Sequence, residues 1–376
     1  MKQAFHLLAA ILVSLGICAP TEACLWDYDT LAMERQRFPN ALELITGHFL
    51  RHSREFYQWR VGDREQRLRE TQSSDLYDDL AVAYDKLGDH DKAIAITLQK
   101  QEHFRGLYET HANLGTFYIH SGQLELGVQQ IDIAISINPD AHFGREAYQK
   151  HLVNYVFSRQ TDGTTNLPLG SERSGMEPAG FCSYILATQN IGDSADAGAA
   201  ELSKAMKGVL GMMRFGNHDS PILLEVLGDL LLSRAHREDA KRLAARAYLK
   251  ASYHAKDDAT REAYRRLAKK SLSMQTVHKD TKSELSLEAL ELKFSDELAD
   301  ASSWFKVVAD DEAKWIRGGE NVDEVFAQKY YQEPELASPT NTWFWVFLVG
   351  ALTLILLCLT WIILRRTAAA RKSIAT

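Results

Sequence analysis

At 376 residues and 42.4 kDa the chain has room for two or three ordinary domains and a packed core. Its 45% apolar and 25% charged content excludes wholesale disorder, a collagen-like chain and a multi-span membrane protein. Eight prolines and 22 glycines are few for an all-β chain, so helix is expected, and a net charge of −7 offers no basic surplus to nucleic acid.

The chain begins Met1-Lys2, continues with an apolar stretch from Ala4 to Ile17, and reaches Thr21-Glu22-Ala23 before Cys24. A basic start, a short apolar region and small residues three and one positions before a cut are the parts of a secretory signal, so residues 1–23 are expected to be removed after Ala23. An uncleaved anchor is the alternative, and about 14 apolar residues are short for one. Neither Cys18 nor Cys24 fits the small-residue box of a lipoprotein. At the other end, the 23 residues from Thr342 to Leu364 carry no charge and at helical rise reach about 34 Å, enough to cross a bilayer. Trp343, Trp345 and Trp361 stand near the ends of this span, where such rings favour the headgroup level.

Arg365, Arg366, Arg371 and Lys372 follow the span and Glu333 and Glu335 precede it, which puts the tail 365–376 in the cytoplasm and residues 24–341 outside. The exported part carries 38 basic against 49 acidic side chains, a net −11 that again argues against nucleic acid. The basic run Arg261, Arg265, Arg266, Lys269, Lys270 reads as a solvated helix face. No Asn-x-Ser/Thr sequon occurs, which leans toward a bacterial inner-membrane protein facing the periplasm. Cys18 belongs to the signal and Cys358 to the span, so Cys24 and Cys182 remain as a disulfide candidate. Residues 24–39 form a Cys-bearing segment in which Trp26-Asp27-Tyr28-Asp29-Thr30 is expected to fold back as a strap on the first helices.

Two segments superpose at a spacing of 34: Leu80-Ala81-x-x-Tyr84-x-x-x-Gly88-x-x-x-x-Ala93 and Leu114-Gly115-x-x-Tyr118-x-x-x-Gly122-x-x-x-x-Gly127, the second running on to Pro139. Small residues at 81, 93, 115 and 127 allow close helix approach, the tyrosines fill space between units, Gly88 and Gly122 supply turns, and Pro139 ends a helix. This pattern resembles the tetratricopeptide repeat over 74–107 and 108–141. The resemblance implies an all-α fold, an α-solenoid of helical hairpins with extra helices and one C-terminal transmembrane helix. One hairpin cannot bury its own apolar face, so neighbours are expected on both sides. Upstream, 40–73 is in phase as a degenerate repeat, with Gly47 at the place of Ala81 and Leu50 at that of Tyr84.

Further along, Asp140 is expected to cap a helix within 142–159, and 160–180 reads as a loop through Thr161-Asp162-Gly163-Thr164-Thr165. The segment 181–275 is expected to be helical, with a repeat-like unit at 221–254 opened by Ser220-Pro221. Within 280–337, the apolar period from Glu284 to Ile316 predicts a long helix, with Thr281 and Glu284 as a capping box and Gly318-Gly319 as its stop.

Chemistry is sparse in the pattern. His48-x-x-x-His52 has zinc-site spacing on a helix, but Phe49 stands where a zincin needs Glu, so neither a metal nor a cofactor is expected. The resemblance implies peptide or helix binding in a concave groove. Of the family's carboxylate-clamp positions, Asn113 matches, while Asp78 replaces a Lys and Val82 an Asn, so a C-terminal acidic peptide is not the expected ligand. Asp75, Asp78, Asp85 and Glu109 would make the groove acidic, and Asp78, Asp85, Glu109, Asn113 and Thr116 are the expected partner-binding residues. The leading function is therefore a membrane-tethered scaffold or adaptor for protein partners, with room for self-association and without catalysis. The alternative is an envelope enzyme with its site near Arg214, His218 and Asp219.

Overall fold

The computed structural model describes residues 26–35, 37–139, 144–170, 180–191, 195–234, 238–273 and 286–331. Among them are fifteen helices and one two-stranded hairpin, so the chain is all-helical, as expected. The signal, Cys24 and hence the disulfide pairing, Asp140, Thr281, Glu284, the apolar span 342–364 and the tail lie outside the described residues. Among the described residues, no helix is long and apolar enough to cross a membrane.

The N-terminal segment enters through Trp26 and a bend at Asp27 and turns into α1 (Tyr28–Arg35). A short helix α2 (Ala41–Thr46) follows, started by an Asn40–Glu43 capping box. Next come α3 (Arg54–Glu70), α4 (Ser74–Lys86), α5 (His90–His103), α6 (Tyr108–His120) and α7 (Leu124–Ile137). Helices α4 and α5 form one hairpin and α6 and α7 the next, each helix of the second beginning 34 residues after its counterpart. The turn glycines behave as their positions required: Gly88 and Gly122 have φ of 89° and 81°, a region costly for any residue with a side chain.

Close approach has an equally direct cause. A Cβ placed on Gly115 would stand 2.7 Å from Ile131 Cγ1, and one on Gly127 2.6 Å from Ile119 Cγ1, so only glycine lets α6 and α7 cross this tightly. Ala81 and Ala93 are fully buried at the equivalent contact of the preceding hairpin. Helix α7 stops at Ile137, two residues before Pro139.

The upstream segment departs from the repeat expected at 40–73. Gly47 adopts φ of 81° and ends α2 after six residues, so residues 48–53, Leu50 included, are not helical and no first helix of a hairpin forms there. Phase was preserved while local backbone geometry was not.

Beyond the repeats, α8 (Arg145–Ser158) packs on α7 and leads into β1 (Gln160–Thr161) and β2 (Thr164–Thr165). The turn between the strands has Asp162 and Gly163 both at positive φ, as a two-residue hairpin demands. Then follow α9 (Phe181–Thr188), α10 (Ala195–Phe215), α11 (Pro221–Leu232), α12 (Glu238–Tyr253) and α13 (Asp258–Ser273). Ser220 caps α11 from in front of Pro221, as expected. The largest apolar cluster lies among α8 to α13 and takes in Leu44, Ile45 and Phe49 from the N-terminal side. Cys182 is buried in it.

The long helix is α14 (Leu287–Gly318), capped by Ser286 and ended by Gly319 at φ of 70°. It lies against α2, α3, α12 and α13, and is followed by α15 (Val322–Tyr330). Phe56 of α3, Val308 and Trp315 of α14, and Val322 and Phe326 of α15 bury one another. The apolar stripe of α14 is thus covered within the chain.

Candidate functional site

The expected strap is present, and it lies against α4 and α6. The Trp26 backbone N–H donates to Asn113 Oδ1 at 2.8 Å, and Asn113 Nδ2 donates back to the Trp26 carbonyl at 2.9 Å. Two residues on, the Tyr28 N–H donates to Asp79 Oδ1 at 2.8 Å. The Trp26 ring meets Tyr108 edge to face at 6.3 Å. The backbone at Trp26 and Tyr28 is therefore held by side chains of α6 and α4, while the Trp26 ring anchors it.

This changes the character of the residues expected to face a partner. Asp78, Asp85, Asn113 and Thr116 are buried, and Glu109 is half-buried. Asp78 Oδ2 accepts from Lys100 Nζ at 2.6 Å and its Oδ1 from Asn113 Nδ2 at 3.1 Å. Burial still pushes its carboxyl up to about 7, against the Lys100 charge. Thr116 Oγ1 accepts from Gln149 of α8. An open acidic surface is not what these side chains form. Asp78, Asp85, Asn113 and Thr116 are satisfied internally because successive hairpins and the strap close over them.

Beneath the strap runs a chain of buried ion pairs. Arg60 has no exposed surface; its Nη1 donates to Asp27 at 3.1 Å and its Nη2 to Asp29 at 2.5 Å and Asp323 at 2.6 Å. Arg64 donates through Nε to Asp79 at 2.8 Å and through Nη2 to Asp323. Beside them His52 Nδ1 lies 2.6 Å from Glu312 Oε1, and Nε2 lies 3.1 Å from Asp29 Oδ2. Burial alone would favour a neutral imidazole, but the charge and hydrogen bond of Asp29, then those of Glu312, lift its pKa from 6.5 to about 9. The His48–His52 pair is not held at helical i, i+4 spacing, since the segment is not helical, and His48 instead meets Trp304 at a tilt with ring centroids 4.9 Å apart.

A cavity of about 310 Å³ opens next to this network. The strap and α1 line it with Asp27, Asp29, Thr30 and Met33, the segment after α2 with Phe49, Arg51 and His52, and the end of α10 and the loop after it with Arg214 to His218. Of the alternative enzyme trio, Arg214 and His218 thus converge on one concavity. Asp219 is not among the lining residues; it pairs with Lys250 and stands 3.3 Å from His218 Nε2. Arg214 Nη2 donates to the Met33 carbonyl at 2.6 Å and its guanidinium stacks over Phe215, so it also pins α1. Burial drives the His218 imidazole down to about 3, against the pull of Asp219, leaving it neutral. Lys86 Nζ holds the carbonyls of Phe215 and Gly216 at 2.7 Å each.

On the repeat side the same cavity is lined by Asp85, His90 and His120. His90 Nδ1 lies 2.8 Å from Asp85 Oδ1, and His120 Nδ1 lies 2.8 and 2.9 Å from its two oxygens. Burial would raise the Asp85 pKa, but the two imidazoles hold the carboxyl well below the usual range. The sequence reading picked out Asp85 and missed both histidines. Their signal was available: Asp85 ends α4, His120 ends α6 thirty-five residues later, and His90 sits just across the intervening Gly88 turn. No protein-family profile, curated protein or solved structure matches this chain.

Proposed function

We propose that this chain is a membrane-tethered, extracytoplasmic scaffold that binds protein partners through an α-solenoid of tetratricopeptide-like hairpins. The observation that carries the reading is the two-way amide pairing of Asn113 with the Trp26 backbone. A side chain that accepts from the N–H and donates to the carbonyl of one residue recognises main chain, whatever its sequence. The strap is then an occupant supplied in cis, and a partner engages the groove by taking its place or by adding to it. Tethering rests on the uncharged span 342–364 and its basic flank. The alternative, an envelope enzyme, draws support from Arg214 and His218 lining one cavity.

The test is crosslinking and mass spectrometry on the full-length protein in its own membrane, wild type against Asn113→Leu. Partner recovery is expected to change in the variant, because the groove then no longer holds backbone. Unchanged recovery, from a variant with wild-type helicity by circular dichroism, moves the partner site off the groove. Turnover of an envelope substrate that is lost in both Arg214→Met and His218→Gln would favour the enzyme instead.

A further inference from the structure

We propose that Asp85, His90 and His120 form a binding site for one divalent transition-metal ion of the zinc class. Three elements supply the ligands: the end of α4, the start of α5 and the end of α6. One donor atom from each residue lies within 4.8 Å of the others, so a single ion reaches all three. The fit is close in magnitude. Tetrahedral ligands at ordinary zinc distances stand roughly 3.3 Å apart, and both imidazole Nδ1 atoms are 2.8 Å from the nearest Asp85 oxygen. Side-chain shifts of about half an ångström open that space, less than a rotamer change.

The donor set selects the metal. Two imidazoles and one carboxylate suit zinc and its first-row neighbours, whereas calcium and magnesium prefer oxygen alone. Three protein ligands leave coordination positions open, and the cavity that the triad lines provides room for water there. His90 is the most exposed of the three side chains, at 28%, and gives the ion its path in. Each histidine binds through the Nδ1 lone pair, so its ring proton resides on Nε2 when metal is present, and Asp85 coordinates as the carboxylate. No redox step is involved. Arg51, Lys86 and Arg214 also line the cavity and weigh against a cation, while Asp27 and Asp29 on the strap side weigh for it. Bound metal would tie the first hairpin to the second beneath the strap, and so would stabilise the repeats as well as mark a site.

The experiment uses the purified full-length protein, stripped with a chelator and titrated with zinc by calorimetry and with cobalt by absorption spectroscopy. One equivalent per chain is expected, with a visible cobalt spectrum of nitrogen and oxygen ligation and a melting temperature that rises with zinc. His90→Ala, at the least buried ligand, and His120→Ala are each expected to weaken zinc at least about tenfold, with helicity retained in the chelated state. His103→Ala, a histidine outside the triad, serves as the control and is expected to bind as the wild type does. The proposal is overturned if the folded wild type shows no saturable zinc binding, or if binding survives unchanged in both His90→Ala and His120→Ala.

Discussion

Replacing Arg60 by Met keeps roughly the volume and removes a buried cation that touches three carboxylates. Its guanidinium is fully buried, lies 4.3 Å over the Phe56 ring and contacts Asp27, Asp29 and Asp323. Deleting one partner of a buried pair costs about 3–5 kcal/mol, since the opposite charge is left without compensation. Here three carboxylates are affected, with Arg64 still beside Asp323 and His52 beside Asp29, so the upper half of that range is expected. Against a total of about 5–15 kcal/mol, this is a large share.

The pH dependence supplies an independent signature. Burial and Asp29 already hold the Asp27 carboxyl up to about 6 against Arg60, while for Asp29 and Asp323 burial is outweighed by Arg60 together with His52 and Arg64; without Arg60 all three folded-state pKa values move up. A raised carboxylate favours the folded state below the unfolded pKa and loses that contribution as pH rises through the folded one. The deficit of Arg60→Met relative to wild type should therefore shrink as pH falls from 8 to 5. Urea unfolding across that range measures it, and Arg60→Lys should lie between, because an ammonium cannot serve three acceptors in the fork geometry. A loss below about 1 kcal/mol at pH 7, or a deficit that grows on acidification, would refute the account of the buried network.

Three further outcomes are expected. His52 has a folded pKa raised from 6.5 to about 9, so its contribution is complete below pH 6.5 and is lost as pH rises through 9, on the order of 3 kcal/mol; melting curves from pH 6 to 10 should show the loss, and His52→Gln should flatten it. Gly115→Leu should destabilise by at least about 1–3 kcal/mol through overpacking against Ile131 and the Gly127 carbonyl, read by denaturant unfolding; wild-type stability would mean the helices can part at no cost. Asn113→Leu should release the strap, seen as a red shift of Trp26-dependent fluorescence and faster protease cleavage near residue 28, with neither change expected if the strap is held by Arg60 alone.

Much of the local architecture was legible in the residues. The 34-residue period marked two units at 74–107 and 108–141, and a helical hairpin occupies each with its turn at Gly88 or Gly122, because small side chains, turn glycines and a terminal proline act on neighbouring backbone, where sequence distance and spatial distance agree. Ser220-Pro221 and the folded-back strap were read on the same grounds, whereas 160–180, expected as a loop, opens with the two-residue hairpin at Asp162 and Gly163. The same reasoning failed at Gly47, where phase suggested a close-packing position and the left-handed backbone made a stop.

What tertiary structure decided is the fate of the polar side chains. Nothing near Arg60 announces Asp323, 263 positions away, and the pairing of Asp85 with His120 and of Asp78 with Lys100 takes two carboxylates of the expected acidic surface into the interior. Local periodicity reports which helix face is apolar; it carries no information on which buried charge will meet which partner. That choice follows from how α14 and α15 return to the strap and how one hairpin seats on the next. A charge can be kept out of water only where its counter-charge arrives with it, and the folded chain alone determines where that is.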